Sequence, residues 1–374
     1  MHMNNDQNRK NTVWRRSRDS AFLRSALFFL LLSACIGCSD RQFRYYLLYE
    51  GDQSDFKDKI ALFPFDNFSD SEDVLPYVMP ELKRQLKKDG FDVVDTKILE
   101  EFLIKNRIRD TGYISKDIAM KTKRELHAAA VLVGSVVSFS TAENPQFGIV
   151  ARLIDSSSGD ILWAGYASGT GEDFSKILGI GRLQTIDSLI PEITDRLFVS
   201  FNEVTQHKIK EAAFRIAVMP FQNKSRYRDA GSIVAQMFLT ELFRSQRFEL
   251  VEYGDVRRSI VDLRVRYRGE LDYGNIKALS ESLGADGILV GTVESYSDGV
   301  ETKSPPEVSV TARLLDAGKN RILWYNHFSL NGDDLIRVLD FGKIRSVDKV
   351  AYKAVSELVE TMETANWYYN SQKR

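Results

Sequence analysis

Four blocks of apolar and polar positions occur twice along the chain, in the same order. KIALFPFDNFS (Lys59–Ser69) returns as RIAVMPFQNKS (Arg215–Ser225), 156 residues later. FDVVD (Phe91–Asp95) returns as FELVE (Phe248–Glu252), and LHAAAVLVGSVVSFS (Leu126–Ser140) as LGADGILVGTVESYS (Leu283–Ser297), both at 157. ARLIDSSSGDILW (Ala151–Trp163) returns as ARLLDAGKNRILW (Ala312–Trp324) at 161. So small a drift over a whole domain marks two copies of one fold with minor loop changes.

Each copy reads as the same succession of elements. A short strand closes at Pro64 or Pro220, since proline offers no ladder donor. A helix, a β segment and a second helical region follow. VLVGSVVSF and ILVGTVESY are nearly continuous apolar runs, which places them centrally in a sheet. Phe147, Ile149, Ala151 and Leu153, matched by Val308, Val310, Ala312 and Leu314, then alternate with period two. That is the signature of a half-buried antiparallel strand. Turn residues at 156–160 and 317–320 send the chain back as ILW. Leu183, Ile186, Leu189, Ile190, Ile193 and Leu197 carry helical spacing, and Ile344, Val347, Val350, Ala351, Ala354 and Leu358 repeat it. Pro191 interrupts only the first stripe, so that helix is expected to start or kink there.

The expected fold class is therefore α/β (α+β): two tandem mixed-sheet domains with helices packed on the sheet, preceded by a lipoprotein signal peptide. The boundaries are a signal peptide at 1–34, a lipidated cysteine and N-terminal segment at 35–57, domain one at 58–205, a polar linker at 206–213, domain two at 214–363 and a tail at 364–374.

Composition changes the picture mainly by exclusion. The 374 residues include 51 Lys+Arg and 52 Asp+Glu, a net charge of −1, so no global basic field exists to hold nucleic acid. Four histidines and two cysteines give little material for a metal site, and 43% hydrophobic content is that of a globular protein.

The amino terminus reads as an address. Arg9, Lys10, Arg15, Arg16, Arg18 and Arg24 precede an apolar run ending at Ala34. The run falls short of the ~20 apolar residues that span a bilayer, and a basic stretch before a short apolar core describes a secretory signal peptide. Leu32-Ser33-Ala34-Cys35 resembles the bacterial lipobox. That resemblance implies a covalent lipid (palmitate among its acyl chains) on Cys35, with the mature chain facing the periplasm. Residue 36 is Ile and not Asp, which by the same resemblance implies passage to the outer membrane. Both cysteines lie at the end of the apolar run, so the body beyond Cys38 must be held without disulfides. From Cys35 onward 45 basic residues face 50 acidic ones.

Several constellations compete with simpler readings. The loop after the first strand of copy one carries Asp66, Asp70, Glu72 and Asp73; its counterpart carries Lys224, Arg226 and Arg228. Calcium would need acids at defined alternate positions, which this loop lacks. The opposite charges suggest head-to-tail packing within or between chains; two solvated loops are the alternative. Arg152 and Arg313 lie opposite the apolar stripe. Trp163 and Trp324 are read as sharing their face, so a stacked ligand site competes with sheet packing and a structural ion pair. Phe43, Tyr45, Tyr46 and Tyr49 follow the anchor directly, and Trp367 and Tyr368 sit near the carboxyl end. Clustered aromatics are candidate contact surfaces, or else an added edge strand and a helix tail. No nucleophile elbow, zinc-binding helix motif or triad is present, so no cofactor and no catalysis is expected.

IALFPFDNFS and IAVMPFQNKS, followed by LVGSV or LVGTV and ARLIDSSSGDILW, resemble the domain shared by the TolB amino-terminal module and the curli secretion lipoprotein CsgG. The resemblance covers about 300 of the 340 residues from Cys35 onward. It implies an α/β envelope module that binds other proteins or assembles into homo-oligomeric rings. At the two positions where the curli channel inserts membrane hairpins, before the ARL strand and after the ILW strand, neither copy shows the ~10-residue alternating strands that a membrane barrel requires. The expected function is a non-enzymatic outer-membrane lipoprotein acting as a structural or adaptor subunit in envelope assembly, secretion or polymer export. The alternative is a periplasmic lipoprotein that binds and activates a cell-wall-synthesis enzyme.

Overall fold

The structure is a computed structural model, and it describes residues 59–175, 181–199, 201, 214–266, 271–300, 303–319, 321–334, 343–365 and 367. In copy one, β1 (Ile60–Leu62) and β2 (Asp66–Asn67) precede α1 (Leu75–Lys88), α2 (Thr96–Lys105) and α3 (Lys116–Leu126). Then come β3 (Ala130–Ser140), β4 (Gln146–Asp155), β5 (Ile161–Thr170) and α4 (Ile186–Phe198). Copy two runs β6 (Phe214–Val218), β7 (Gln222–Asn223), α5 (Ala230–Ser245), β8 (Phe248–Leu250), α6 (Tyr253–Asp262) and α7 (Tyr273–Leu283). It finishes with β9 (Gly287–Ser297), β10 (Glu307–Asp316), β11 (Arg321–Asn331) and α8 (Val347–Thr364).

Sheet one has the order β1-β3-β4-β5, with β1 and β2 parallel to β3 and the rest antiparallel. Sheet two repeats it as β6-β9-β10-β11, with β8 added outside β6. In copy one the segment matching β8 makes a single bridge, Ile60 to Val93. Even the irregularities repeat: the β4–β5 pair slips after Leu153 and the β10–β11 pair after Leu314. The apolar runs are central, as their composition demands. The fourth helix runs unbroken through Pro191, because Thr185 caps its start and accepts from the Ser188 N–H. Pro191 lies in the second turn, where only one intrahelical donor is lost.

The described residues all belong to one compact unit. Helices α1 and α4 cover one face of sheet one, with Val78, Leu82, Leu86, Ile193 and Leu197 packed on Leu132, Ile149, Leu153 and Trp163. Helices α5 and α8 lie between the two sheets: one continuous core joins Val133, Val150 and Ala164 of copy one to Phe238, Leu239, Val355 and Val310 of copy two. The far face of sheet two carries α6 and α7, through Val256, Ile276 and Leu279. The half-buried reading of β4 is thereby corrected. Its interior is buried on both faces, because the helix layer of copy two covers the second one, whereas β10 keeps a partly exposed face. Among the described residues, no helix is long and apolar enough to cross a membrane.

Candidate interaction surfaces

The two repeated motifs touch each other in both copies. A Cβ on Gly134 would sit 2.4 Å from the Phe65 ring, and one on Gly291 would sit 2.2 Å from the Phe221 ring. The "PF" ring thus needs the glycine of "LVG" beneath it. The Asn of each motif closes the next loop: Asn67 Oδ1 accepts from the backbone N–H and hydroxyl of Ser69, and Asn223 Oδ1 does the same for Ser225. These are turn-forming bonds. The motifs build the fold, and the loops they hold are where the opposite charges sit.

Those loops lie side by side within the chain. The Tyr227 hydroxyl donates to the Phe68 carbonyl at 3.5 Å, and burial, then the Asp70 charge, push the Tyr227 phenol far up. Asp70, Asp73, Lys224, Arg226 and Arg228 are all exposed, with Arg228 paired to Asp229 at 2.9 Å. Of the carboxyl-terminal aromatics, Trp367 is half-buried. It packs on Phe214 and Phe248, with ring centroids 5.2 and 6.2 Å away, so the packing alternative is the one its geometry shows. Cys35, Phe43, Tyr45, Tyr46, Tyr49 and Tyr368 lie outside the described residues, as does the linker 206–213.

The junction between the copies holds the main polar constellation. Arg152, fully buried on the second face of sheet one, places Nε 3.1 Å and Nη2 3.3 Å from the Glu252 carboxylate. Its remaining donors reach the Gly112 carbonyl at 3.2 Å and Gln236 Oε1 at 3.4 Å, and Ser135 donates to the same Gln236 oxygen at 3.0 Å. Such a pair is tolerable in a dry interior only when its hydrogen bonds are made. The expected Arg–Trp face is corrected: register pairs Trp163 with Leu153 and Arg152 with Ala164, so the tryptophan faces the opposite core. Copy two repeats this arrangement, with Arg313 opposite Tyr325 and Leu314 opposite Trp324.

A second contact is made by α8. Buried Asp348 accepts from Gln146 Nε2 at 2.9 Å and from the Tyr166 hydroxyl at 3.2 Å, and the Tyr166 ring stacks on Tyr352 at 4.0 Å. Burial, reinforced by Asp348, raises the Tyr166 phenol well above its ordinary value. At the third contact a Cβ on Gly254 would lie 2.1 Å from the Ile114 carbonyl oxygen. Here the Lys116 N–H donates to Asp255 at 2.9 Å, Arg258 bridges to Asp117, and Tyr253 meets Tyr113 edge-on at 5.5 Å. Burial pushes the Tyr253 phenol up to about 12. The sequence reading did not identify Gln236, Glu252, Gly254 or Asp348. The signal available was α5, AGSIVAQMFLTELFRS, which is apolar nearly all round.

The matching face of sheet two is partly open. The Thr311 hydroxyl lies 2.6 Å from Glu294 Oε1 and 3.1 Å from His327 Nδ1. With its one proton given to the carboxylate, Thr311 accepts from the His327 Nδ1–H. Tyr325, His327 and Ser329 stand exposed along β11.

No protein-family model matches the chain, and no curated protein does either. Among solved structures it is similar to the lipoprotein GNA1162 from Neisseria meningitidis, at 24% identity over 30% of this chain and 81% of that one, with a TM-score of 0.26. A PelC dodecamer from Paraburkholderia phytofirmans aligns at 22% identity over 40% and 92%, TM-score 0.25. The LpoB C-terminal domain from Escherichia coli aligns at 13% identity over 32% and 84%, TM-score 0.24.

Proposed function

We propose that this protein is a non-enzymatic envelope lipoprotein that works as a binding module. Cys35 anchors it to the outer membrane, and the fused pair of α/β domains is presented to the periplasm as a preassembled adaptor. The observation that carries the reading is the asymmetry of the two sheets. One is covered on both sides by helices of its own chain, while the other keeps a face with Arg313, Tyr325 and His327 partly or fully exposed. An exposed sheet face with aromatic and charged side chains suits protein recognition.

A specific observation favours action as a single copy over a homo-oligomeric ring built through the same interface. On another copy the segment arriving in place of Glu252-Tyr253-Gly254 would be Asp95-Thr96-Lys97, and a lysine side chain replaces the glycine that the close approach needs. Two measurements test the reading. Metabolic labelling with palmitate should mark the parent and Cys38→Ser but not Cys35→Ser. Light scattering of the detergent-solubilised protein should give one chain per particle; a large closed oligomer would sink the single-copy reading, and an unlabelled parent would sink the anchor.

A further inference from the structure

The closing helix of copy two carries into the junction a carboxylate that its counterpart leaves outside. Asp187 and Asp348 correspond at the offset of 161, each in the first turn of its helix. Asp187 is exposed, whereas Asp348 is fully buried. Its two hydrogen bonds, from Gln146 and Tyr166, come from neutral groups. Among the described residues no Lys, Arg or His pairs with it: the adjacent Arg345 and Lys349 reach Glu172 and Asp173 instead, both at 2.7 Å. Two further oxygens here lack partners. A Cβ on Gly148 would lie 2.3 Å from Asp348 Oδ2 and 2.6 Å from Ser138 Oγ, so both converge on the space that the glycine leaves open. The buried Ser138 hydroxyl makes no hydrogen bond, and neither does that of Tyr296. Burial, then the Asp348 charge, raise the Tyr296 phenol well above its ordinary value. Copy one has Phe139 at the position of Tyr296, so the shared fold does not require this hydroxyl. Buried hydroxyls without partners are costly, and an unpaired carboxylate in a dry interior more so. The first turn of α8 offsets only about half a unit of that charge.

We infer that a monovalent alkali cation binds here, bridging Asp348 Oδ2 and Ser138 Oγ, with the Tyr296 hydroxyl as a further donor. Hard cations take oxygen ligands, and charge decides the class. One carboxylate among neutral hydroxyls balances a single positive charge, whereas a divalent ion would call for more carboxylates. A water molecule would serve the two hydroxyls and leave the charge unbalanced. Ser138 belongs to copy one, Tyr296 and Asp348 to copy two, so the ion fastens the copies to each other in addition to the Arg152–Glu252 pair.

The test melts the full-length protein, in a non-ionic detergent, in choline, sodium and potassium chlorides at a fixed ionic strength. The melting temperature should rise with sodium or potassium along a one-site saturation curve and stay flat in choline. Asp348→Asn should abolish that response, and Asp187→Asn should leave it as in the parent. Tyr296→Phe restores the side chain that copy one carries and should raise the half-saturating concentration about tenfold. It decides the matter alone if Asp348→Asn does not fold. An ion held too tightly to exchange would give flat melts. Elemental analysis after exhaustive dialysis into choline chloride would then find one alkali atom per chain in the parent, and fewer in Tyr296→Phe. Flat melts with no retained alkali metal would mean bound water only and overturn the site. So would a cation response unchanged in both Asp348→Asn and Tyr296→Phe, which is a general salt effect.

Discussion

Helices α1 and α5 occupy the same slot in two copies of one fold and have nearly opposite surfaces. The offset of 156 holds from the PF motif to the helix ends, where Gly90 and Gln246 both take positive φ, at 89° and 55°. Along that register Tyr77, Pro80, Arg84 and Lys87 are exposed, while Ile233, Gln236, Thr240 and Phe243 are buried. A helix with one apolar stripe covers a sheet; a helix apolar nearly all round lies between two layers. The duplication therefore did not yield two beads on a string. It yielded a body whose internal face is dry and whose end helix is polar, as in repeat proteins with capped ends.

The sharpest way to break this distinction is to exchange the two surfaces. Leu239 is fully buried where copy one has Lys83. Leu239→Lys places an unpaired charge in the shared core, a cost of roughly 3–5 kcal/mol or more. The expected outcome in a thermal melt is loss of the single cooperative transition. Lys83→Leu, at the polar end, should leave the melt nearly unchanged; a similar loss in both variants would refute the layered arrangement.

Next in size is the buried ion pair. Glu252→Ala strands Arg152 in the interior and should cost about 3–5 kcal/mol, whereas Arg152→Met with Glu252→Leu removes both charges and should recover most of it. Arg313→Met, at the homologous but half-exposed position, should stay within about 1 kcal/mol of the parent. Urea titrations of the three variants measure the pattern, and equal losses for Glu252→Ala and Arg313→Met would contradict it. Gly254→Ala comes third. The added methyl meets the Ile114 carbonyl, an overpacking cost of about 1–3 kcal/mol, while Lys97→Ala at the exposed counterpart should change stability by less than about 0.5 kcal/mol.

The fold was legible in the sequence wherever one copy could be checked against the other. The succession of elements, the central LVG strands and the closing helices all follow from period and repetition. What was not legible is what one copy does to the other. The alternation in β4 describes a strand with one polar face, yet its "polar" positions are Val150, Arg152 and Ile154. Only Arg152 is charged, and Glu252 meets it from 100 residues away. Two apolar residues out of three on the supposed wet face pointed to a second covering layer, as did the uniform apolarity of α5. Single-element patterns specify which face is buried, but not which distant helix buries it. The open face of sheet two was harder to find, because Glu294, Thr311 and His327 come from three strands and share no motif.

The smallest expected effect concerns one carboxyl that only copy one possesses. Asp66 accepts from the Gly112 N–H at 3.2 Å, and a Cβ on Gly112 would lie only 2.3 Å from its other oxygen. Copy two has Gln222 at the equivalent position. Burial raises the Asp66 pKa above its ordinary 3.8, Asp110 adds to the rise, and the Gly112 bond and Arg152 oppose it. A folded pKa above the unfolded one means that the fold favours the protonated acid. The stability from this group is therefore complete below pH 3.8 and lost as pH rises through the raised value. Asp66→Asn keeps the accepting oxygen and removes the titration. It should raise the melting temperature over the parent at pH 7, with the gap closing as the pH is lowered toward 4. Gln222→Asn, which has nothing to titrate, should shift the melt by the same amount at both pH values. A constant gap for Asp66→Asn would mean that the ionised carboxylate costs the fold nothing, and that the two loops differ in charge alone.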